Sequence, residues 1–229
     1  MQALWQKINE TFIIQNRYLF FVEGLKTTLL LTFASFFFGT VVGVLLCAGA
    51  RSKNRFFQKL ASLLRGLFIN MPTLVLLMIL VYVVFGRSAV PILVVVSIGL
   101  MMKSGAYLSE IFESALSTVA TGEIEAARTL GMSKWQAFRY VVLPQTVKAA
   151  LPLYENQFIV SMQETSVVGY LAIVDLTRAS SIISSRTLDA FFGLITVSIL
   201  YFIIGRVARM IFHAIDARMT RMSKGEVSA

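Results

Sequence analysis

The chain has 229 residues, of which 57% are hydrophobic and 14% charged, with a mean hydropathy of +0.76. Soluble domains are roughly 45–50% apolar, so this composition excludes an ordinary soluble domain and predicts one polytopic membrane domain. The net charge of +9 does not indicate a nucleic-acid-binding protein, because the basic residues flank apolar segments without interleaved aromatic stacking residues.

The hydropathy pattern predicts an all-α membrane protein with about five transmembrane helices. The expected spans are Thr27–Ala50, Leu63–Phe85, Ile92–Leu116, Leu151–Leu171 and Ala190–Phe212. Residues 1–24 are expected to form an amphipathic segment on the membrane surface, without the pattern of a cleaved signal peptide. Residues 218–229 are expected to be a tail.

Three local features add detail to these spans. Gly39 and Gly43 have the four-residue spacing typical of close helix contacts in membranes. Pro72 is expected to bend the second span, because proline removes a backbone donor. The segment Asp175–Asp189, rich in serine, threonine and arginine, is expected to lie outside the membrane between the last two spans.

Lysines and arginines are distributed unequally between the two ends of the spans. Fourteen fall in 51–65, 128–148 and 206–224, whereas six fall in segments expected on the opposite side. Because basic loops stay cytoplasmic, we expect the N-terminus outside and the C-terminus in the cytoplasm. The polar loop 121–144 is then cytoplasmic.

The local sequence of this loop predicts two short helices. Glu125–Leu130 consists mainly of helix formers, and Gly131 can adopt the left-handed conformation that ends a helix. Ser133 and Gln136 have the spacing of a capping box, which predicts a second helix over Lys134–Val142. Pro144 is expected to bend the chain where it re-enters the membrane.

The loop also carries a motif with defined spacing. Its residues are Glu125, Ala126, Ala127, Gly131, Val141, Leu143 and Pro144. This motif resembles the E-A-A-x3-G-x9-I-x-L-P loop in the permease subunits of bacterial ABC importers, with valine in place of isoleucine. The resemblance implies a type I ABC importer transmembrane domain over about 25–217, whose loop docks onto an ATP-hydrolysing subunit.

The same resemblance implies the rest of the assembly. Two ATP-binding subunits, a second permease subunit (identical or paralogous) and an extracytoplasmic amino-acid-binding protein would join this chain in the bacterial inner membrane. ATP and magnesium would be held by the partner ATPase, and this chain itself would bind no cofactor and no nucleic acid. Membrane lipid would surround it.

Other stretches resemble the polar amino-acid subfamily of these permeases. Ser104–Phe112 resembles S-G-A-Y-x-x-E-I-F, Leu151–Ile159 resembles L-P-P-x-x-N-x-F-I, and Asp175–Thr177 matches D-L-T. The implied cargo is a polar or charged amino acid.

The chain also departs from the subfamily pattern. Gln163 and Glu164 stand where K-D is usual, Glu155 stands where glycine is frequent, and Asn70–Thr73 replaces R-G-T-P. The individual amino acid is therefore not carried over from the resemblance.

Ionisable residues inside spans usually face a bundle interior or a water-filled path. The candidate substrate-pathway residues are Ser104, Tyr107, Glu110, Gln163, Glu164 and Thr165. Lys103 and Glu110 lie seven apart on nearly one helix face, so a buried structural pair between them is an open alternative. Glu155 and Glu164 lie nine apart and point to opposite sides of one helix.

The sequence offers no site for catalysis. His213 is the single histidine and has no ligand-spaced partner, so we expect neither a metal site nor a catalytic triad. Lys26-Thr27 lacks the glycines of a phosphate loop, so ATP hydrolysis would fall to a partner. The alternatives are an ATP-independent secondary transporter or channel, a non-transporting scaffold, and an ABC permease for another small solute.

Overall fold

The computed structural model describes residue 5 and residues 9–225, and the chain is helical throughout most of these ranges. Part of the predicted surface segment 1–24 and the end of the predicted tail 218–229 lie outside the described residues. Short turns at Asn9–Ile13 and Ile14–Asn16 precede the first long helix. The helices are α1 (Tyr18–Ala50), α2 (Arg55–Asn70), α3 (Thr73–Met78), α4 (Ile92–Ser117), α5 (Thr121–Thr129), α6 (Lys134–Ala137), α7 (Leu143–Glu164), α8 (Leu176–Thr187) and α9 (Phe191–Gly225).

Three of the described helices, α1, α4 and α9, are each long and apolar enough to cross a membrane. Two bent helix pairs also qualify, α2 with α3 and its extension, and the α6–α7 helix with α8. Counting each pair as one broken span gives up to five, which confirms the predicted all-α architecture with about five spans.

The predicted continuous second span Leu63–Phe85 is wrong. The chain turns by 110° between α2 and α3, with Met71 and Pro72 both in extended conformations. Proline cannot donate a hydrogen bond and forces the preceding residue out of the helical region, so the helix stops instead of bending. The two six-residue pieces after the break, α3 and the π-helical extension Ile79–Val84, rise only about 18 Å.

The segment Asp175–Asp189 forms a helix with a buried face. The carboxylate of Asp175 accepts hydrogen bonds from the backbone N–H groups of Thr177 and Arg178, at 3.0 and 2.9 Å, which caps α8 at its N-terminus. Leu176 and Ile183 are fully buried. This segment therefore belongs to the packed bundle.

Helix α1 is the central element of the bundle, since it contacts α2, α4, α7 and α8. At Gly39 and Gly43 the backbone of α1 approaches α4 closely: a Cβ on Gly43 would lie 2.9 Å from Leu108 Cβ, and one on Gly105 would lie 2.7 Å from Val42. The predicted close contact is confirmed.

The backbone of α1 also lies close to the start of α8, at Gly24. In a Gly24→Ala variant the new methyl group would lie 2.6 Å from the carbonyl oxygen of Asp175, so the backbone must move. We expect a loss of about 1–3 kcal/mol in the free energy of unfolding, measured as a lower thermal midpoint in detergent.

Gly66→Ala is the matched control for this substitution. Its methyl group would meet only Asn70 Nδ2 at 3.9 Å, and alanine raises helix propensity by up to about 1 kcal/mol. The control should be at least as stable as the parent. A Gly24→Ala variant with an unchanged midpoint would contradict the packing described here.

Candidate functional site

The loop 121–144 folds as two short helices joined by a sharp turn. After α5, Gly131 has a φ of +87°, in the left-handed region that glycine tolerates without steric cost. At the start of α6, the hydroxyl of Ser133 accepts from the Gln136 N–H while the Gln136 side chain accepts from the Ser133 N–H. The predicted helix stop and capping box are both confirmed.

Local hydrogen bonds hold this loop in one shape. The Met132 N–H donates to the Ala127 carbonyl at 3.2 Å, and the Arg128 guanidinium donates to the Met132 carbonyl at 2.7 Å. The Gln145 amide donates to the carboxylate of Glu123 and ties α5 to the beginning of α7. The loop is thus a braced projection.

The outer surface of the loop combines charge with exposed apolar side chains. Glu125 and Ala126 are exposed, while Leu130 is 82% and Trp135 68% exposed. Large apolar side chains exposed on a polar element are typical of a protein-binding surface. Leu130 and Trp135 were not predicted, although the sequence signal was available: both are large apolar residues within a polar island.

The other predicted docking residues occupy supporting positions. Ala127 is buried inside the loop, which makes it a packing residue. Leu143 and Pro144 lie in the first turn of α7, where Leu143 is partly buried and Pro144 is exposed. The structure brings these residues together in one element without placing all of them on one surface.

The helix is not interrupted at Pro144, which corrects the expected bend at membrane re-entry. A π-helical turn, Phe138–Val142, joins α6 to α7, and the Leu143 N–H donates to the Phe138 carbonyl five residues back. This wider turn accommodates the proline, which has no N–H to donate. The backbone is therefore helical from Lys134 to Glu164.

A cleft of about 750 Å³ separates the loop from α1. Its walls are mainly apolar and include Cys47, Ile124, Phe138 and Tyr154, with Arg51 at one side. The loop is therefore attached to the bundle through α4 and α7, and is not packed flush against α1.

A buried ion pair lies at the opposite end of α7. The Lys103 ammonium on α4 donates to the Met71 carbonyl at 2.8 Å and lies 3.7 Å from a carboxylate oxygen of Glu164. The same oxygen accepts from the Thr73 hydroxyl at 2.9 Å. The Lys103 side chain is 5% and the Glu164 side chain 19% exposed, so the pair is desolvated yet still reachable on the carboxylate side.

This ion pair explains how the broken second span is held. Because Met71 is extended, its carbonyl has no place in the helical ladder, and Lys103 supplies the missing donor. Thr73 at the start of α3 donates to Glu164 at the end of α7. Met71 and Thr73 were not predicted as site residues, although Pro72 between them is a sequence signal for a helix break.

The predicted pathway residues differ in how close they lie to this pair and in how buried they are. The ring of Tyr107 lies 6.0 Å from the Lys103 ammonium, and Glu164 is part of the pair. Ser104 is buried and shares a hydrogen bond of 3.2 Å with Ser161 between α4 and α7. Thr165 is buried and donates to the Met162 carbonyl. Gln163 is exposed.

The alternative of a buried Lys103–Glu110 pair is wrong. Glu110 is exposed, and Lys103 turns to groups on α3 and α7 instead. Glu155 and Glu164 do lie on one helix, α7, with Glu155 partly buried.

The chain as a whole is similar to known transport proteins. Residues 37–221 match the family described as binding-protein-dependent transport system inner membrane component. A probable amino-acid ABC transporter permease of Bacillus subtilis strain 168, YckA, is 30% identical over 218 residues, covering 93% of this chain and 95% of that protein. The histidine/lysine/arginine/ornithine permease HisM of Salmonella typhimurium is 29% identical, covering 85% and 88%.

Solved structures show the same arrangement of helices. The crystal structure of an amino acid ABC transporter with histidines superimposes with a TM-score of 0.81 at 30% identity, covering 90% of this chain and 98% of that one. An inward-facing MetNI methionine ABC transporter superimposes with a TM-score of 0.72 at 24% identity, covering 88% and 97%, a likeness of fold alone.

Proposed function

The chain belongs to the family of binding-protein-dependent transport system inner membrane components, and we propose that it is the permease subunit of an ATP-driven importer of a polar or charged amino acid. The proposal rests on one structural observation. A single helical stretch, Lys134 to Glu164, links the exposed loop at one end to the buried ion pair at the other.

This link supplies a mechanical route for coupling. Thirty-one helical residues extend about 45 Å, so a displacement imposed on the loop reaches Glu164 through one element. A partner ATPase that grips Glu125, Leu130 and Trp135 would pull on the loop when it closes. The cleft behind the loop leaves room for that movement.

The Lys103–Glu164 ion pair provides charged groups that can bind the transported amino acid. A zwitterionic amino acid carries one ammonium and one carboxylate, the two groups that Lys103 and Glu164 present to each other at 3.7 Å. An amino acid passing between them would pair its carboxylate with the Lys103 ammonium and its ammonium with the Glu164 carboxylate. Related proteins are named for glutamine and for histidine, lysine, arginine and ornithine, which supports polar amino acids as the cargo class.

The remaining parts of the proposal concern the assembly. The N-terminus lies outside and the C-terminus in the cytoplasm of a bacterial inner membrane, so that the loop faces two ATP-binding subunits. ATP and magnesium belong to those subunits. A second permease, identical or paralogous, completes the path, and an extracytoplasmic binding protein delivers the amino acid.

Two measurements on the tagged chain test this proposal. The first is purification from its native membrane with identification of the co-purifying proteins by mass spectrometry, and the second is uptake in proteoliposomes. We expect a stoichiometric ATPase and uptake of a polar amino acid that stops without ATP. Recovery of the chain alone, with solute movement independent of ATP, would identify a secondary transporter or channel. If ATP drove the movement of a solute other than an amino acid, the chain would still be an importer subunit, but the proposed cargo class would be wrong.

The turn at Gly131 gives a prediction for the loop. A side chain there meets nothing within 4 Å, so Gly131→Ala changes only the backbone preference, at about 1–2 kcal/mol for a left-handed alanine. We expect uptake to fall several-fold in Gly131→Ala and to be largely kept in Gly131→Asn, because asparagine tolerates this conformation.

Gly122→Ala is the matched control within the same loop. Gly122 is also exposed with nothing within 4 Å of a Cβ, but its φ is not in the left-handed region. Initial uptake rates normalised to membrane content should be unchanged. Equal rates for Gly131→Ala and Gly122→Ala would remove the conformational role assigned to the turn.

A further inference from the structure

The cleft between α1 and the loop combines an apolar interior with a basic end. Its volume of about 750 Å³ lies within the range of about 300–1,000 Å³ that is usual for ligand sites. Among the described residues, its lining includes two charged side chains, Arg51 and Lys134, and no acidic one. Arg51 directly follows α1, and Lys134 is the first residue of α6. The lining therefore has the character of a site for an amphipathic anion.

The cleft is as deep as one leaflet of a bilayer. Helix α1 lines it from Arg51 back to Thr40, eleven residues that rise about 17 Å. This helix is apolar enough to cross a membrane, and half of a hydrocarbon core of about 30 Å is about 15 Å. An acyl chain in the leaflet on the side of the loop would therefore reach from the membrane surface to the inner end of the cleft.

The hydroxyl groups in the cleft already have partners, whereas its basic groups are available. The hydroxyls of Thr40 and Tyr154 share a hydrogen bond of 2.8 Å, and Thr146 donates to the Val142 carbonyl at 2.8 Å. An acyl chain beside them leaves none of these hydroxyls unpaired. None of the ion pairs in the described part of the chain involves the basic side chains at positions 51 and 134.

The surface around the cleft is apolar on both walls. Val44 lines the cleft and is 53% exposed, and its neighbours on α1, Val41 and Leu45, are 51% and 66% exposed. On α7, Val147 lines the cleft at 41% exposed. Because these side chains lie on membrane-spanning helices, lipid acyl chains can enter the cleft directly from the bilayer.

We propose that the cleft binds one anionic phospholipid from the leaflet on the side of the loop. One acyl chain fills the apolar interior, and the phosphate pairs with the Arg51 guanidinium and the Lys134 ammonium. A basic pocket beside membrane-spanning helices is the arrangement that binds anionic headgroups. The depth of one leaflet and the charge of the lining assign the cleft to lipid in preference to a protein segment. A flexible acyl chain also leaves the loop free to move.

Native mass spectrometry of the full chain tests the headgroup preference. The chain is exchanged into detergent with equal amounts of phosphatidylglycerol and phosphatidylcholine, and the lipid retained per chain is counted. We expect one phosphatidylglycerol, retained at least about tenfold more than phosphatidylcholine. Each basic residue near an anionic headgroup contributes about fivefold, so Arg51→Gln/Lys134→Gln should lower this ratio by at least about tenfold. The control Lys53→Gln/Arg139→Gln removes two exposed basic residues that do not line the cleft and should keep the ratio.

Filling the cleft tests where the acyl chain lies. Val44→Trp/Val147→Trp places two large side chains on opposite walls without changing any charge, so the number of retained phosphatidylglycerol molecules should fall several-fold. Val41→Trp/Leu153→Trp is the matched control, because these residues are similarly exposed, at 51% and 49%, on the same two helices outside the lining. This control should retain the lipid as the parent does.

Three results would overturn the lipid site. They are equal retention of the two lipids by the parent chain, an unchanged ratio in Arg51→Gln/Lys134→Gln, and unchanged retention in Val44→Trp/Val147→Trp. The first result needs no variant, so a substitution that disturbs folding does not protect the proposal. Variants are compared only after a monodisperse elution profile has been obtained.

Discussion

Replacement of Glu125 by lysine is expected to abolish ATP-driven uptake while leaving the chain inserted in the membrane. Glu125 is exposed on the braced loop, so the new side chain disturbs no packing within the chain. It would instead place the wrong charge in the proposed docking surface for the ATPase, where a mismatched charge costs several kcal/mol. About 1.4 kcal/mol corresponds to a tenfold change in affinity. We therefore expect the rate of ATP-driven uptake to fall at least about a hundredfold.

The measurement is uptake by proteoliposomes together with recovery of the ATPase on the tagged chain. Asp216→Lys serves as the control, because Asp216 is an exposed acidic residue on α9 outside the loop. We expect Asp216→Lys to transport normally and Glu125→Lys to lose both uptake and the bound ATPase. Normal uptake by Glu125→Lys would show that the loop does not dock through this residue.

Replacement of Lys103 by methionine is expected to stop uptake and to destabilise the chain. The substitution leaves the Glu164 carboxylate desolvated beside an unpaired Met71 carbonyl. Removing one partner of a buried ion pair costs about 3–5 kcal/mol. The thermal midpoint in detergent should fall clearly, whereas Lys148→Met, at an exposed position on α7, should change little.

The double variant Lys103→Met/Glu164→Gln separates structure from transport. Without either charge no ion remains buried, so we expect most of the lost stability to return. Uptake should remain absent, because the groups proposed to meet the cargo are gone. Recovery of uptake together with stability would show that the pair serves only to hold the broken span.

Local features of this chain could be read from the sequence. Gly131 ends a helix and Ser133 with Gln136 starts the next because the signals lie within a few residues of each other. The small residues Gly39 and Gly43 also indicated close packing, since only a few side chains permit helices in a membrane to approach so closely.

Features that depend on distant contacts could not be read in this way. Lys103 and Glu110 share a helix face, yet the ammonium pairs with Glu164 on another helix, which only the packed bundle brings near. Hydropathy alone merged α2 with α3 into one straight span, because the average stays apolar across the break at Met71 and Pro72. The residues of α8 are too polar for a span, and small buried residues such as Ala179 and Ser180 give little hydropathy signal.

The contacts that brace the loop all lie within residues 121–145, and most of them join residues close in sequence. They run between Ala127 and Met132, between Arg128 and Met132, between Ser133 and Gln136, and from Glu123 to Gln145. A segment that keeps its shape through its own residues is portable, and residues 121–145 form a cassette that related permeases could exchange. Under the proposed docking, such an exchange would transfer the choice of ATPase without altering the choice of cargo, so the two specificities of an importer could evolve separately.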